Sequence, residues 1–282
     1  MPRFQTATVL KLWRGVKARL RLEAEMTRGM DKQEMPEASA DEYGLDLTSG
    51  DRHYRAWVGF PDEYDTIAAL QVSLQLAAGL RETHKLADVG CGSLRAGRML
   101  IPYLRPGNYH GIEPEKWLVE EGLERELGRD VLRVKAPEFR FVSDFSLDSF
   151  GKKFDFVIAQ SVFSHTHEDL LKLGFGKIAE SLAPDGTFLA TWAEGSSQRT
   201  GSGWIHKGAR RYTWEQMEKA LDECGLVARR LPWPHPRQSW FAAAHTRSLP
   251  GIEALAAELH APREGWGKER RLGQPTNKED LA

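Results

Sequence analysis

Residues 85–97 read KLADVGCGSLRAG. Lys85–Val89 is a short apolar strand, and it runs into Gly90-Cys91-Gly92. A helix is expected over Leu94–Leu104, stopped by Arg105-Pro106-Gly107. Glycines where a strand turns into a helix let the backbone approach a ligand closely, and the first helical turn offers free N–H groups with partial positive charge. The elements around this turn repeat the alternation: strand Tyr109–Ile112, helix Lys116–Leu127, strand Phe139–Val142, strand Phe154–Ala159 and helix Asp169–Leu182. Ala183-Pro184-Asp185-Gly186 reads as a turn that launches strand Thr187–Trp192. Thr213 and Gln216 form a capping box for helix Trp214–Cys224, which Gly225 stops. Strands Leu226–Leu231 and Ser239–His245 follow with only a three-proline loop between them. Strands alternating with helices imply a doubly wound, mostly parallel α/β sheet of seven strands, with the last pair an antiparallel hairpin at one edge.

In such sheets a ligand lies outside the carboxyl ends of the strands, where strand order reverses. Glu113 ends the second strand, 21 residues after Gly92 (113 − 92), where an acid can accept two hydrogen bonds from a ribose diol. A dinucleotide site would want a third glycine at position 95, which is Arg95, and a P-loop would want Gly-Lys-Ser/Thr, which is absent. The ribose acid is present and the pyrophosphate fingerprint is missing. A cofactor with adenosine and no phosphate fits, and S-adenosylmethionine meets that description.

The block LADVGCGSLRAG (86–97), with GIEP (111–114), VSDF (142–145), FDFVIAQSVFSH (154–165) and SLAPDGTFLAT (181–191) in that order, resembles the class I S-adenosylmethionine-dependent methyltransferases. Within that family it is similar to a bacterial branch with Gly-Cys-Gly-Ser-Leu-Arg as its first motif, and the resemblance spans roughly residues 51–246. It implies a Rossmann-like methyltransferase fold and a methyl transfer from S-adenosylmethionine. It also implies roles. Asp88 would orient the cofactor's ammonium group through water, and Gly90, Cys91 and Gly92 would pass their backbone under its methionine part. Glu113 would hold the ribose, with Ile112 and Pro114 against the adenine. Asp144 would accept from the adenine amino group, with the backbone and ring of Phe145 bordering the base. Gln160 and Ser161 would line the methionine end.

Further out, the substrate side is open to several readings. His165 follows the fourth strand by about one turn and is a candidate general base, with a helix-capping histidine as the plainer reading. Residues 193–211 form a long Gly/Ser-rich loop carrying Trp204 and His206, followed by Tyr212. His53–Trp57, before the first helix of the domain, is a possible lid, which makes Trp57 a candidate contact. These four residues are the expected acceptor contacts.

The rest of the 282 residues bounds the function. Lys and Arg total 39 and Asp and Glu total 40, a net charge of −1, which argues against a surface built for nucleic acid. The two cysteines, Cys91 and Cys224, lack the spacing of a disulfide scaffold or a zinc module, and no metal site is expected. No apolar run approaches the roughly 20 residues of a membrane span, so the reading is a soluble, cytoplasmic enzyme acting on a small-molecule acceptor. Three regions are expected: an N-terminal extension (1–50), the methyltransferase domain (51–246), and a C-terminal helix with a charged tail (247–282). Residues 1–22 hold six basic residues and no acid at the spacing of an amphipathic helix, a candidate for docking on a membrane surface or a protein partner. Two other readings compete: a nicotinamide-dependent oxidoreductase, which Arg95 disfavours, and a cofactor-binding scaffold that docks through the basic helix.

Overall fold

The computed structural model describes residues 42–197, 200–205 and 208–260. Contacts divide the chain into Met1–Asp46 and Leu47–Ala282. The basic segment 1–22 and the charged tail 262–282 lie outside the described residues. Among the described residues no helix is long and apolar enough to cross a membrane.

The second unit is one seven-stranded sheet. Its strands are β1 (Leu86–Val89), β2 (Tyr109–Ile112), β3 (Glu138–Arg140), β4 (Phe154–Ala159), β5 (Leu182–Trp192), β6 (Leu226–Leu231) and β7 (Ser239–His245). The order across the sheet is β3-β2-β1-β4-β5-β7-β6. Neighbours from β3 to β5 pair in parallel, while β7 is antiparallel to both β5 and β6. The edge hairpin is therefore folded in: β7 occupies the inner place, and β6 runs in the common direction outside it. β7 is buried from Trp240 to Ala244, and its three alanines let flanking layers approach closely. β1 is buried along its whole length, as expected of an apolar run covered on both faces.

Helices α1 (Tyr64–Ala77), α2 (Gly97–Tyr103), α3 (Lys116–Gly122), α4 (Asp130–Val134), α5 (Glu168–Ser181), α6 (Trp214–Asp222) and α7 (Leu249–His260) complete the unit. Stacked and edge-on rings fill the core, with Phe175 and Phe188 each touching Phe163 and Phe241. The capping box at Thr213 and Gln216 is present in both directions.

Four boundaries differ from the sequence reading, each for a local reason. α2 begins at Gly97 rather than Leu94, because Leu94 sits in the left-handed region at φ 61° and cannot continue a helix. The helix expected to reach Leu127 is α-helical only to Gly122, then widens into a π-helical turn over Leu123–Leu127 that brings Glu126 to Arg55 and Arg98. β3 ends at Arg140, because it has only His110–Ile112 to pair with. The Ala183–Gly186 turn is a bulge inside β5, where the ladder steps from Phe154↔Leu182 to Phe156↔Thr187.

Strand order reverses between β1 and β4, so the loops after these strands flank the ligand crevice. The β6–β7 loop lies at the same edge of the sheet, since β6 shares the direction of β4 and β5.

Candidate active site

The turn after β1 is shaped by its glycines. Gly90 and Gly92 both lie in the left-handed region, at φ 67° and 53°. A Cβ on Gly90 would come within 2.7 Å of Val162 Cγ2, and one on Gly92 within 2.7 Å of Val58 Cγ1. The N–H groups of Gly90 and Cys91 both donate to the Ile112 carbonyl, which ties the turn to the end of β2. Cys91 is buried, and burial pushes its thiol well above the usual range, so it stays a protonated filler. Leu94 takes a left-handed φ without being glycine, and its side chain is fully buried.

Two acids converge on this turn. Asp88 ends up buried in β1, where the Tyr109 hydroxyl donates to its Oδ2 at 2.7 Å. Burial raises its pKa to about 6, against the pull of that hydrogen bond. Glu113 is 8% exposed, and its carboxylate is oriented by two backbone donors, Gly92 N–H at 2.9 Å and Glu115 N–H at 3.0 Å. Burial again dominates and lifts Glu113 to about 7. Each oxygen of Glu113 has taken one hydrogen bond and has a lone pair left for a ligand hydroxyl.

The adenine-side residues divide. Pro114 and Asp144 are exposed; Asp144 accepts from the Ser146 N–H at 3.2 Å, and the Ser146 side chain first, with that N–H, lowers its pKa. Phe145 is different. Its ring is stacked between Phe163 (5.9 Å between centroids) and Trp204 (5.4 Å) and is buried. The ring belongs to the core cluster, and the backbone of Phe145 is left-handed at φ 60°.

After β4 the chain makes a tight turn. Ser161 sits at φ 60°, and its N–H donates to Thr191 Oγ1 on β5 at 2.8 Å. Gln160 is buried and joins four neighbours: Oε1 accepts from Arg95 Nη2 and from Gln71 Nε2, and Nε2 donates to Ser161 Oγ and faces His235 Nε2. Arg95 Nη1 donates to the Val58 carbonyl at 2.9 Å. Segment 53–59 therefore lies against the glycine turn at Val58. It is fastened behind by Arg55 and Tyr54, both hydrogen-bonded to Glu126.

The residues expected to meet an acceptor are not all brought together. Trp57 is 42% exposed and packs edge-on against Trp117 at 5.6 Å. Trp204 donates from Nε1 to the Ser143 carbonyl at 2.9 Å, which folds the 200–205 segment over the Ser143–Phe145 stretch. Tyr212 is buried, and its hydroxyl donates to the Thr166 carbonyl at 2.8 Å. His206 lies outside the described residues. His165 occupies a 3₁₀ turn, Phe163–His165, and its carbonyl accepts from Ile205 N–H at 2.7 Å. The residue is exposed, yet packing around its ring lowers its pKa, against hydrogen bonds to the backbone of Ile205 and Gly208 that raise it.

A sheet with this order, a left-handed glycine pair at the switch point and a buried acid after β2 is joined by a sequence match: residues 87–188 fit a family model described as a methyltransferase domain. The chain carries a methyltransferase domain with the class I fold. The methyltransferase domain is similar in fold to magnesium protoporphyrin IX methyltransferase from Synechocystis, solved with S-adenosylmethionine bound. The identity is 16% and the TM-score 0.51, over 66% of this chain and 81% of that one. The same enzyme with S-adenosylhomocysteine gives 15% and 0.50, over 66% and 84%. No curated protein matches the sequence.

The site of the methyltransferase domain fits that cofactor on its own terms. The turn leaves no room for side chains under a ligand, and the buried acid is a hydrogen-bond acceptor in need of donors. Sequence reasoning missed Tyr109, Val58, His235 and Thr191. Only His235 carried a signal, as a histidine in a three-proline loop at the ligand edge.

Proposed function

We propose that the chain transfers the methyl group of S-adenosylmethionine to an oxygen, nitrogen or carbon nucleophile of a small molecule. Glu113 carries this reading: a buried carboxylate, aimed by two backbone N–H groups, beside a glycine turn that excludes side chains. It would hold the ribose diol, with Ile112 and Pro114 against the adenine, and Asp144 and the Phe145 backbone at the amino edge. Asp88 and the backbone of Gly90, Cys91 and Gly92 would meet the amino-acid end, alongside Gln160 and Ser161.

When bound, the cofactor supplies a methyl group on a positively charged sulfur. Held by Glu113 and the glycine turn, it would give that methyl group to the acceptor's lone pair, and its sulfur would leave as a neutral thioether. The protein's part is alignment and exclusion of water, an effect worth up to ~7–11 kcal/mol in well-oriented reactions. Val58 over the turn and Trp204 over Phe145 support that exclusion. His165, its pKa lowered, is neutral at pH 7 and able to take the acceptor's proton. Trp57 would border the acceptor from the segment preceding α1.

The test has two readings. Calorimetric titration with S-adenosylmethionine should show one saturable site, and incubation with fractionated small molecules should give products one methyl group heavier. His165→Gln should flatten the acidic limb of the kcat/KM profile and leave cofactor affinity unchanged. A protein that does not bind S-adenosylmethionine refutes the proposal.

A further inference from the structure

Arg95 is 8% exposed, and among the described residues no carboxylate lies within ion-pair reach of it. Its Nη1 and Nη2 donate to neutral oxygens, Val58 O and Gln160 Oε1, and its Nε has no partner. Arg55 is buried to the same degree and shows the usual solution, a carboxylate (Glu126) at 2.6 Å. Burial lowers the Arg95 pKa to about 10, so the guanidinium is still charged at neutral pH. Asp88 and Glu63 act on this charge only from beyond ion-pair reach, and a buried charge left without a contact partner is strongly unfavourable.

The neighbours of Arg95 say the same. His235 Nδ1 accepts from the N–H groups of Arg237 (3.1 Å) and Gln238 (3.0 Å). Burial, with Arg95 and Arg237 nearby, pushes its pKa down to about 4. The ring is therefore neutral with its proton on Nε2, and that N–H faces the Gln160 amide nitrogen at 3.0 Å, donor against donor. Trp240 Nε1 is buried without a partner as well. Arg237, by contrast, is neutralised by Glu63. A cavity of about 410 Å³, walled by Trp233, Pro234 and Trp240, opens beside His235 and Gln238.

We propose that Arg95 and His235 bind a carboxylate carried by the methyl acceptor, whose body lies in the cavity against Trp233 and Trp240. The acceptor is then a carboxylic acid. This rests on the methyltransferase reading above. The cofactor's own methionine carboxylate has the same chemistry. The acceptor is favoured because the cavity beside His235, walled by Trp233 and Trp240 of the β6–β7 hairpin, has room for the body of a second molecule.

The full-length protein, saturated with S-adenosylhomocysteine, is titrated with acetate, benzoate, phenylacetate and indole-3-acetate and with their primary amides, by ligand-observed NMR. At least one acid should bind at least tenfold tighter than its amide, and Arg95→Met should remove that preference. The affinities of S-adenosylhomocysteine and of 5′-methylthioadenosine, which lacks the amino-acid end, should stay within twofold. A tenfold loss for S-adenosylhomocysteine alone would give Arg95 to the cofactor and overturn the proposal, as would no preference for any acid. Gln160→Glu is the second variant, should Arg95→Met not fold. It supplies an internal counter-ion, so it should raise Tm and abolish acid binding; an unchanged Tm would overturn the proposal. Failure of the wild type to bind S-adenosylhomocysteine would instead overturn the methyltransferase reading.

Discussion

Replacing Glu113 by glutamine separates the two effects that burial imposes on this side chain. In the folded chain Glu113 titrates at about 7 rather than 4.5. Each tenfold change is worth ~1.4 kcal/mol, so the ionised folded form is disfavoured by about 3 kcal/mol relative to the unfolded chain. The folded state holds the extra proton between pH 4.5 and 7. Stability from this group is therefore complete at the acid end and lost as pH rises through that window. Glutamine never ionises and shows no such loss. Its amide can accept from only one of Gly92 and Glu115 and turns a donor against the other, at ~1–3 kcal/mol. Glu113→Gln should thus be less stable than the wild type at pH 5 and equal or more stable at pH 8. His110 and His235, both lowered to about 4 by burial, destabilise the fold as pH falls from 6.5 towards 4, but they do so in both proteins and cancel in the difference. Urea unfolding of both proteins from pH 5 to 8.5 measures that difference. Cofactor affinity should fall at least tenfold at pH 8, since hydrogen bonds to a charged acceptor contribute ~1.5–3 kcal/mol each. A stability difference that does not change with pH would refute the account of burial. Undiminished affinity for S-adenosylmethionine would refute the ribose role.

Two further substitutions test the surroundings of the site. Gly92→Ala should destabilise by ~1–3 kcal/mol and abolish cofactor binding, because its Cβ meets Val58 Cγ1 in a left-handed backbone. Adding Val58→Ala should restore part of the stability, and chemical denaturation of the single and double variants measures the coupling. Trp204→Ala should lose ~2 kcal/mol through the Phe145 stack and the Ser143 bond and should weaken cofactor binding. Trp204→Phe keeps the stack and should recover most of the stability, as thermal melts would show.

The parallel half of the sheet was legible because β1, β2 and β4 are apolar runs punctuated by Gly and Pro, and burial on both faces leaves such runs few alternatives. The places of Glu113 and the glycine pair were legible for a related reason, since each directly follows one of these strands. What escaped depends on contacts far apart in sequence. Val58 over Gly92 and Gln160 beside His235 are joined only by the fold. The burial of Phe145 and Tyr212 escaped for the same reason, since both join one core cluster whose members are far apart in sequence. The start of α2 was misplaced because leucine is a good helix former, and nothing local announces that Leu94 is held at positive φ.

That leucine also changes how the turn meets its ligand. A glycine at position 94 would be free to wander in the absence of cofactor, and binding would have to freeze it. Leu94 is anchored instead, its side chain against Gly97 and Gly122, and the latter sits so close to the Ser93 carbonyl that a methyl group would not fit between them. The left-handed backbone costs ~1–2 kcal/mol, and the folded core bears that strain whether or not ligand is present. Association then draws nothing from loop ordering, so the turn should exchange one cofactor molecule for the next without changing shape, a rigid seat rather than a closing hand.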